Sequence, residues 1–148
     1  MSYQRAIAFA AVAAFLTAET SAQTANPLAL TVDTAHTSIG FAVKHMGLAT
    51  VRGRFSRYRI SVDFDSATVA SSRVTAVIDA ASIDTDNERR DTDLKSENYL
   101  DVAKFPEIQF ASTKVEAVAP TRWRIGGNLT IKGVTKPTIL EVTFHGMA

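Results

Sequence analysis

The stretch Val51-Arg52-Gly53-Arg54-Phe55-Ser56-Arg57-Tyr58-Arg59-Ile60-Ser61-Val62-Asp63-Phe64 decides the fold class, because apolar and polar residues alternate along it. That period places every second side chain on one face of a strand, so one face is buried and the other wet. The parity slips inside the run. Val51 and Phe55 are odd-numbered, whereas Tyr58, Ile60, Val62 and Phe64 are even, and a bulge or bend near Ser56 would absorb the slip.

The same alternation spreads in both directions. Ile39, Phe41 and Val43 precede the run; Val74, Ala76 and Ile78, then Ile108 and Phe110, then Trp123, Ile125, Leu129 and Ile131, then Leu140, Val142 and Phe144 follow it. These sets predict six or seven strands. Asp65-Ser66, Ala119-Pro120-Thr121 and the six residues from Lys132 to Pro137 carry turn chemistry, and connections this short suit an antiparallel meander. One segment departs from the pattern. Thr85 and Glu88 stand at capping-box spacing and predict a short polar helix within Ile83 to Ser96. Ile83, Asn87, Arg90 and Leu94 share its inward stripe, which offers little apolar area, so the helix reads as a lid or plug. An inward Arg90 requires a partner, for which Asp79, Asp84 and Asp101 are the candidates.

The N-terminus reads as an export signal. Met1 to Arg5 carries one cation, Ala6 to Ala18 is apolar but for Thr17, and Thr20-Ser21-Ala22 supplies small residues for cleavage. Residues 1–22 are thus expected to be removed, placing a single domain of residues 23–148 in the periplasm or outside the cell. No later stretch is long and apolar enough to span a bilayer as a helix.

The chain has no cysteine, which excludes disulfides, thiol catalysis and cysteine-ligated metals. A net charge of +1 provides no global field for nucleic acid. G-x-S-x-G, P-loop, G-x-G-x-x-G and H-E-x-x-H motifs are all missing, which argues against an enzyme. His36 and His45 flank one predicted strand and would lie about 30 Å apart, too far to share a metal. The charges from Asp79 to Asp101 mix both signs, as on a solvated helix. Arg52, Arg54, Arg57 and Arg59 alternate with apolar residues, as on a wet strand face; a second reading makes this face the docking site for an acidic partner on a non-enzymatic interaction domain. Abundant aromatic residues either fill a barrel core or line a lumen able to take one slender apolar ligand.

Seven ordered blocks bear a specific resemblance. They are Val32 to Ile39, Val43 to Leu48, Val51 to Phe55, Ala81 to Thr85, Arg90 to Ser96, Phe105 to Phe110 and Leu129 to Pro137, and together they are similar to the YceI-like family of exported bacterial proteins. The resemblance implies an all-β fold with one short helix, an extended antiparallel lipocalin-like β-barrel. Its lumen would hold a polyisoprenoid, an isoprenoid quinone or a similar long amphiphilic lipid, with no other cofactor. Position then points to Phe41, Val43, Val51, Phe55, Phe110, Trp123 and Leu129 as tail contacts and to His45, Met46 and Leu48 at a rim. Arg90 and Asp91 would orient the helix or meet the head group. Two departures follow: Asp93 stands where relatives carry histidine, and relatives continue beyond the position of Ala148. A barrel left open, or closed by a second copy in a homodimer, is therefore expected.

Overall fold

The computed structural model describes residues 28–145, apart from 34, 46–48 and 66. The expected signal at 1–22 and the rim residues Met46 and Leu48 lie outside the described residues. The described residues form nine strands and one α-helix: β1 (Leu28–Thr31), β2 (Ile39–His45), β3 (Ala49–Phe55), β4 (Tyr58–Phe64), β5 (Arg73–Asp79), β6 (Ile83–Asp84), α1 (Glu88–Lys95), β7 (Glu107–Ala119), β8 (Arg122–Ile131) and β9 (Val134–Thr143). All pairings are antiparallel. Six strands form one sheet in the order β1-β4-β5-β7-β8-β9, and β2-β3-β6 form a second. The fold is mostly β with one helix, as the alternation predicts.

The parity slip at Ser56 is a change of sheet rather than a bulge within one strand. β3 pairs with β6 and β4 with β5, so two antiparallel chains turn the same corner together. Ser82 holds that corner: its carbonyl accepts from Ser56 N (3.2 Å), and its hydroxyl oxygen accepts from Arg57 N (3.1 Å). A short 3-10 turn at Ala80–Ser82 is what lets the chain switch sheets. The corner curls the sheets into a trough. Among the described residues the trough does not close, because β2 pairs only with β3 and β9 only with β8.

Three further expectations need correction. The helix begins at Glu88, where Asn87 Oδ1 accepts from Arg90 N (2.9 Å), so Asn87 is the N-cap and Thr85 is not. An Asn side chain one residue before the helix thus satisfies the Arg90 amide, in place of the Glu88 amide that a Thr85 cap would have met. The β8–β9 turn contains only Lys132 and Gly133, both at positive φ (50° and 72°), and Val134 to Pro137 belong to β9. Two left-handed residues make the primed hairpin turn that matches strand twist, and an edge strand tolerates proline. Finally, β7 runs thirteen residues, although only Ile108 and Phe110 announce it. Register shifts between Ser112 and Lys114 and between Ala117 and Ala119 change which parity faces inward.

Inward-facing side chains divide the trough into two ends. At one end Phe110, Val115 and Ile125 are buried, with Val69, Val74, Ala76, Leu129 and Val142 packed around them. Gly127 is buried beneath the Phe110 ring: a Cβ there would stand 2.7 Å from Phe110 Cε2 and 2.6 Å from the Ala111 oxygen, so only glycine fits. Trp123 stacks between Phe64 (5.3 Å between centroids) and Phe144 (5.1 Å) and closes this end. The other end is hollow.

Candidate functional site

A cavity of about 600 Å³ occupies the hollow end, a volume typical of small-molecule sites. Each neighbouring element contributes to its wall: Phe41 and Val43 from β2, Phe55 from β3, Ile78 from β5, Ile83 from β6, Ile108 from β7 and Ile131 from β8. Leu94 of α1, with Asn98, Tyr99 and Leu100 from the turn that follows, supplies the remaining side. Ile83 and Ile108 are buried and form the floor. Val43 (56% exposed) and Tyr99 (52%) mark the mouth.

Among the described residues no charged side chain lines this space. Asn98 and the Tyr99 hydroxyl are its polar groups. The wall is thus apolar apart from these two. Phe41 and Phe55 pack with centroids 5.7 Å apart and planes tilted by 45°. Gly53, opposite Phe41 in the β2–β3 ladder, permits this, because a Cβ there would come within 2.8 Å of both Phe41 Cε1 and Thr85 Cγ2.

Polar bonds rather than apolar burial hold the helical wall in place. None of the residues of α1 is buried. Thr85, buried in the segment before it, is the anchor: Asp91 Oδ1 accepts from its amide (3.0 Å) and its hydroxyl (2.6 Å). Arg90 donates to the same hydroxyl oxygen (2.8 Å) and to the Thr85 carbonyl (2.7 Å). The partner expected for Arg90 is thus a threonine, not Asp79, Asp84 or Asp101. Asp79 pairs instead with Arg57 and Asp84 with Arg54. Asp86 and Asp101, both at positive φ (59° and 50°), bracket the segment, and Lys132 Nζ reaches across from the β8–β9 turn to the Glu97 carbonyl (2.6 Å).

The sequence-selected residues distribute as follows. Phe41, Val43 and Phe55 line the cavity. Val51 pairs directly with Val43 and shares its face, but is not part of the wall. Phe110, Leu129 and Trp123 face the same trough at its packed end. Arg90 and Asp91 secure Thr85 behind the wall. His45 ends β2, and its side chain lies outside the described residues. Ile78, Ile83, Ile108, Ile131, Leu94, Asn98, Tyr99 and Leu100 also line the cavity, although the sequence did not mark them as ligand contacts. Leu94 carried a signal as the apolar member of the inward stripe, and Tyr99-Leu100 as an apolar pair after a polar helix.

The arginine face is largely neutralised within the chain. Arg54 pairs with Asp84 (2.6 Å) and Asp86 (3.3 Å), Arg57 with Asp79 (2.7 Å) and Arg59 with Glu107 (3.7 Å). The Arg57 guanidinium holds the Asp79 carboxyl below the usual carboxylate range. A face already matched by its own carboxylates has little charge to offer an acidic partner. At the chain's start, Asp33 Oδ2 meets His36 Nδ1 (2.6 Å) in full solvent, and that contact lowers the Asp33 carboxyl.

Comparison with known proteins agrees with this architecture. The structure resembles BcnA of Burkholderia cenocepacia with a TM-score of 0.71 at 26% identity, covering 76% of this chain and 70% of that one. It resembles the YCEI protein of Campylobacter jejuni with a TM-score of 0.65 at 34% identity, covering 80% and 70%. In sequence, a UPF0312 protein of Vibrio campbellii is 37% identical over 124 residues, which is 82% of this chain and 66% of the relative. One from Yersinia enterocolitica is 40% identical over 111 residues, 75% of this chain and 57% of the relative. The chain therefore spans less than two thirds of the length of these relatives. The family model described as the YceI-like domain matches residues 30–148, and the chain belongs to that family.

Proposed function

We propose that the protein is a non-enzymatic carrier that holds the tail of a long amphiphilic lipid, a polyisoprenoid or isoprenoid quinone, in the cavity beneath α1. The observation that carries this reading is a lumen of about 600 Å³ whose described wall carries no charged side chain. Tail burial supplies the affinity, at about 0.8 kcal/mol per methylene removed from water. Ten carbons contribute about 8 kcal/mol before the cost of association, itself about 4–15 kcal/mol, so a short tail binds poorly and a long one well. Branched, unsaturated tails suit a wall of isoleucine and phenylalanine. The head group remains near Asn98 and Tyr99, where the cavity meets water. Residues 1–22 direct this carrier out of the cytoplasm to the periplasm, between the membranes in which such lipids reside.

Mass spectrometry of organic extracts from natively purified protein tests the assignment, with an isoprenoid lipid as the expected finding. Repeated absence of any bound lipid would count against it. A tail-length series supplies a second reading: affinity should rise by up to about fourfold per carbon and level off once the cavity is full. An affinity independent of tail length is incompatible with a tail-binding lumen. N-terminal sequencing of the protein recovered from the periplasmic fraction should begin near Gln23.

A further inference from the structure

The mouth of the cavity carries an uneven charge. Val43, Tyr99 and Ile131 are cavity-lining residues that also face solvent, and Val134, 57% exposed, stands opposite Ile131 across the β8–β9 turn. Together they form an apolar rim. The two hairpins bearing this rim, residues 41–52 and 128–140, contain Lys44, Arg52, Lys132 and Lys136 and not one aspartate or glutamate. The third wall, residues 94–105, is balanced, with Lys95 and Lys104 against Glu97 and Asp101. Elsewhere Arg54, Arg57, Arg59, Lys114 and Arg124 sit in ion pairs, while Arg73, Arg89, Arg90, Lys95, Lys104 and Arg122 are cations spread over other elements. Among the described residues none of the four rim cations sits in an ion pair. The two hairpins of the rim thus combine exposed apolar side chains with cations and no acidic residue.

We propose that this rim docks the protein on an anionic lipid surface, setting the mouth against the bilayer so that a tail passes between membrane and cavity without crossing water. The proposal rests on reading the cavity as a lipid site. Exposed apolar side chains bury themselves at the level of the head groups, while flanking lysines meet anionic phosphates, each worth roughly 1 kcal/mol near such a surface. That figure corresponds to about fivefold in affinity per charge, or about twenty-five-fold for two. Neither Lys44 nor Lys136 uses its amine in a hydrogen bond among the described residues, so both can be neutralised without disturbing the fold.

The test is co-sedimentation of purified protein with vesicles of phosphatidylcholine, with and without phosphatidylglycerol. Binding is expected only to the anionic vesicles, to weaken with salt, and to fall about twenty-five-fold in the Lys44→Gln/Lys136→Gln variant. Val134→Ser should weaken it severalfold, and Arg73→Gln, at the end of β5 remote from Ile78, by less than about twofold. Equal binding to neutral vesicles, no binding to anionic ones, or equal effects of the lysine pair and Arg73 would overturn the proposal. Diphenylhexatriene fluorescence without vesicles is read in parallel. Probe uptake without vesicle binding overturns the docking surface alone, whereas charge-dependent vesicle binding without probe uptake overturns the cavity reading and supports docking.

Discussion

Gly53→Ala isolates the contact on which the cavity wall depends. The added Cβ would lie 2.8 Å from Phe41 Cε1 and 2.8 Å from Thr85 Cγ2, about 0.7 Å inside ordinary carbon contact, so a neighbour must yield. Thr85 is 4% exposed and is held by Asp91 and Arg90. Phe41 is half-buried, and the far side of its ring is the cavity itself. The ring therefore moves, leaving its rotamer and its packing on Phe55, at a cost of about 1–2 kcal/mol. For a domain of this size that lowers Tm by roughly 3–10 °C. The same displacement pushes the ring into the binding space, so diphenylhexatriene uptake should weaken by about tenfold if ~1.4 kcal/mol of the overpacking falls on the bound state. Gly40→Ala is the matched control: it lies in the paired strand, but its Cβ meets only the Gly53 oxygen at 3.4 Å. Thermal unfolding and probe titration of both variants decide the matter. A Gly53→Ala protein indistinguishable from Gly40→Ala in both assays would show that Phe41 is not seated on Gly53 and does not wall the cavity.

Thr85→Ala removes the hydroxyl shared by Asp91 and Arg90 and should cost about 1–3 kcal/mol; hydrogen exchange should quicken across α1 and not in β7 or β8, and uniform protection would refute the anchor. Asp79 and Asp84 are held low, the first chiefly by the Arg57 hydrogen bond and the second by the Asp86 amide, and Lys114 does the same to Glu116. Carboxyls depressed in the folded state stabilise it above about pH 4 and lose that contribution as pH falls through their folded values, so urea midpoints should be flat near neutrality and decline below about pH 4. The decline should be shallow because these pairs are solvent-screened, and a protein that gains stability on acidification contradicts it. Trp123, the single tryptophan, stacks in the packed end, so filling the cavity should leave its emission unchanged, while Trp123→Ala should cost about 2–4 kcal/mol in urea unfolding. A ligand-induced shift in that emission would mean that the tail runs the whole length of the trough.

Which side of a strand a residue faces is a local property, and it was legible: spacing alone puts Tyr58, Ile60, Val62 and Phe64 together, and β4 presents them to the trough. Whether an inward residue meets a neighbour or a void is not local. Trp123 and Phe41 read alike in sequence, each an aromatic on an alternating strand. Trp123 is sandwiched because Phe64 of β4 and Phe144 just after β9 stack on either side of it, whereas Phe41 borders a void because the opposite wall is a helix with Leu94 as its one inward apolar side chain. The polar composition of the segment from Ile83 to Ser96, which read as a lid with too little apolar area to be core, was in this sense the strongest signal of the cavity. A wall that cannot supply side chains to fill the space before it leaves that space open to an apolar guest, and a wall held by Thr85, Arg90 and Asp91 rather than by burial can be released without unfolding the sheet behind it.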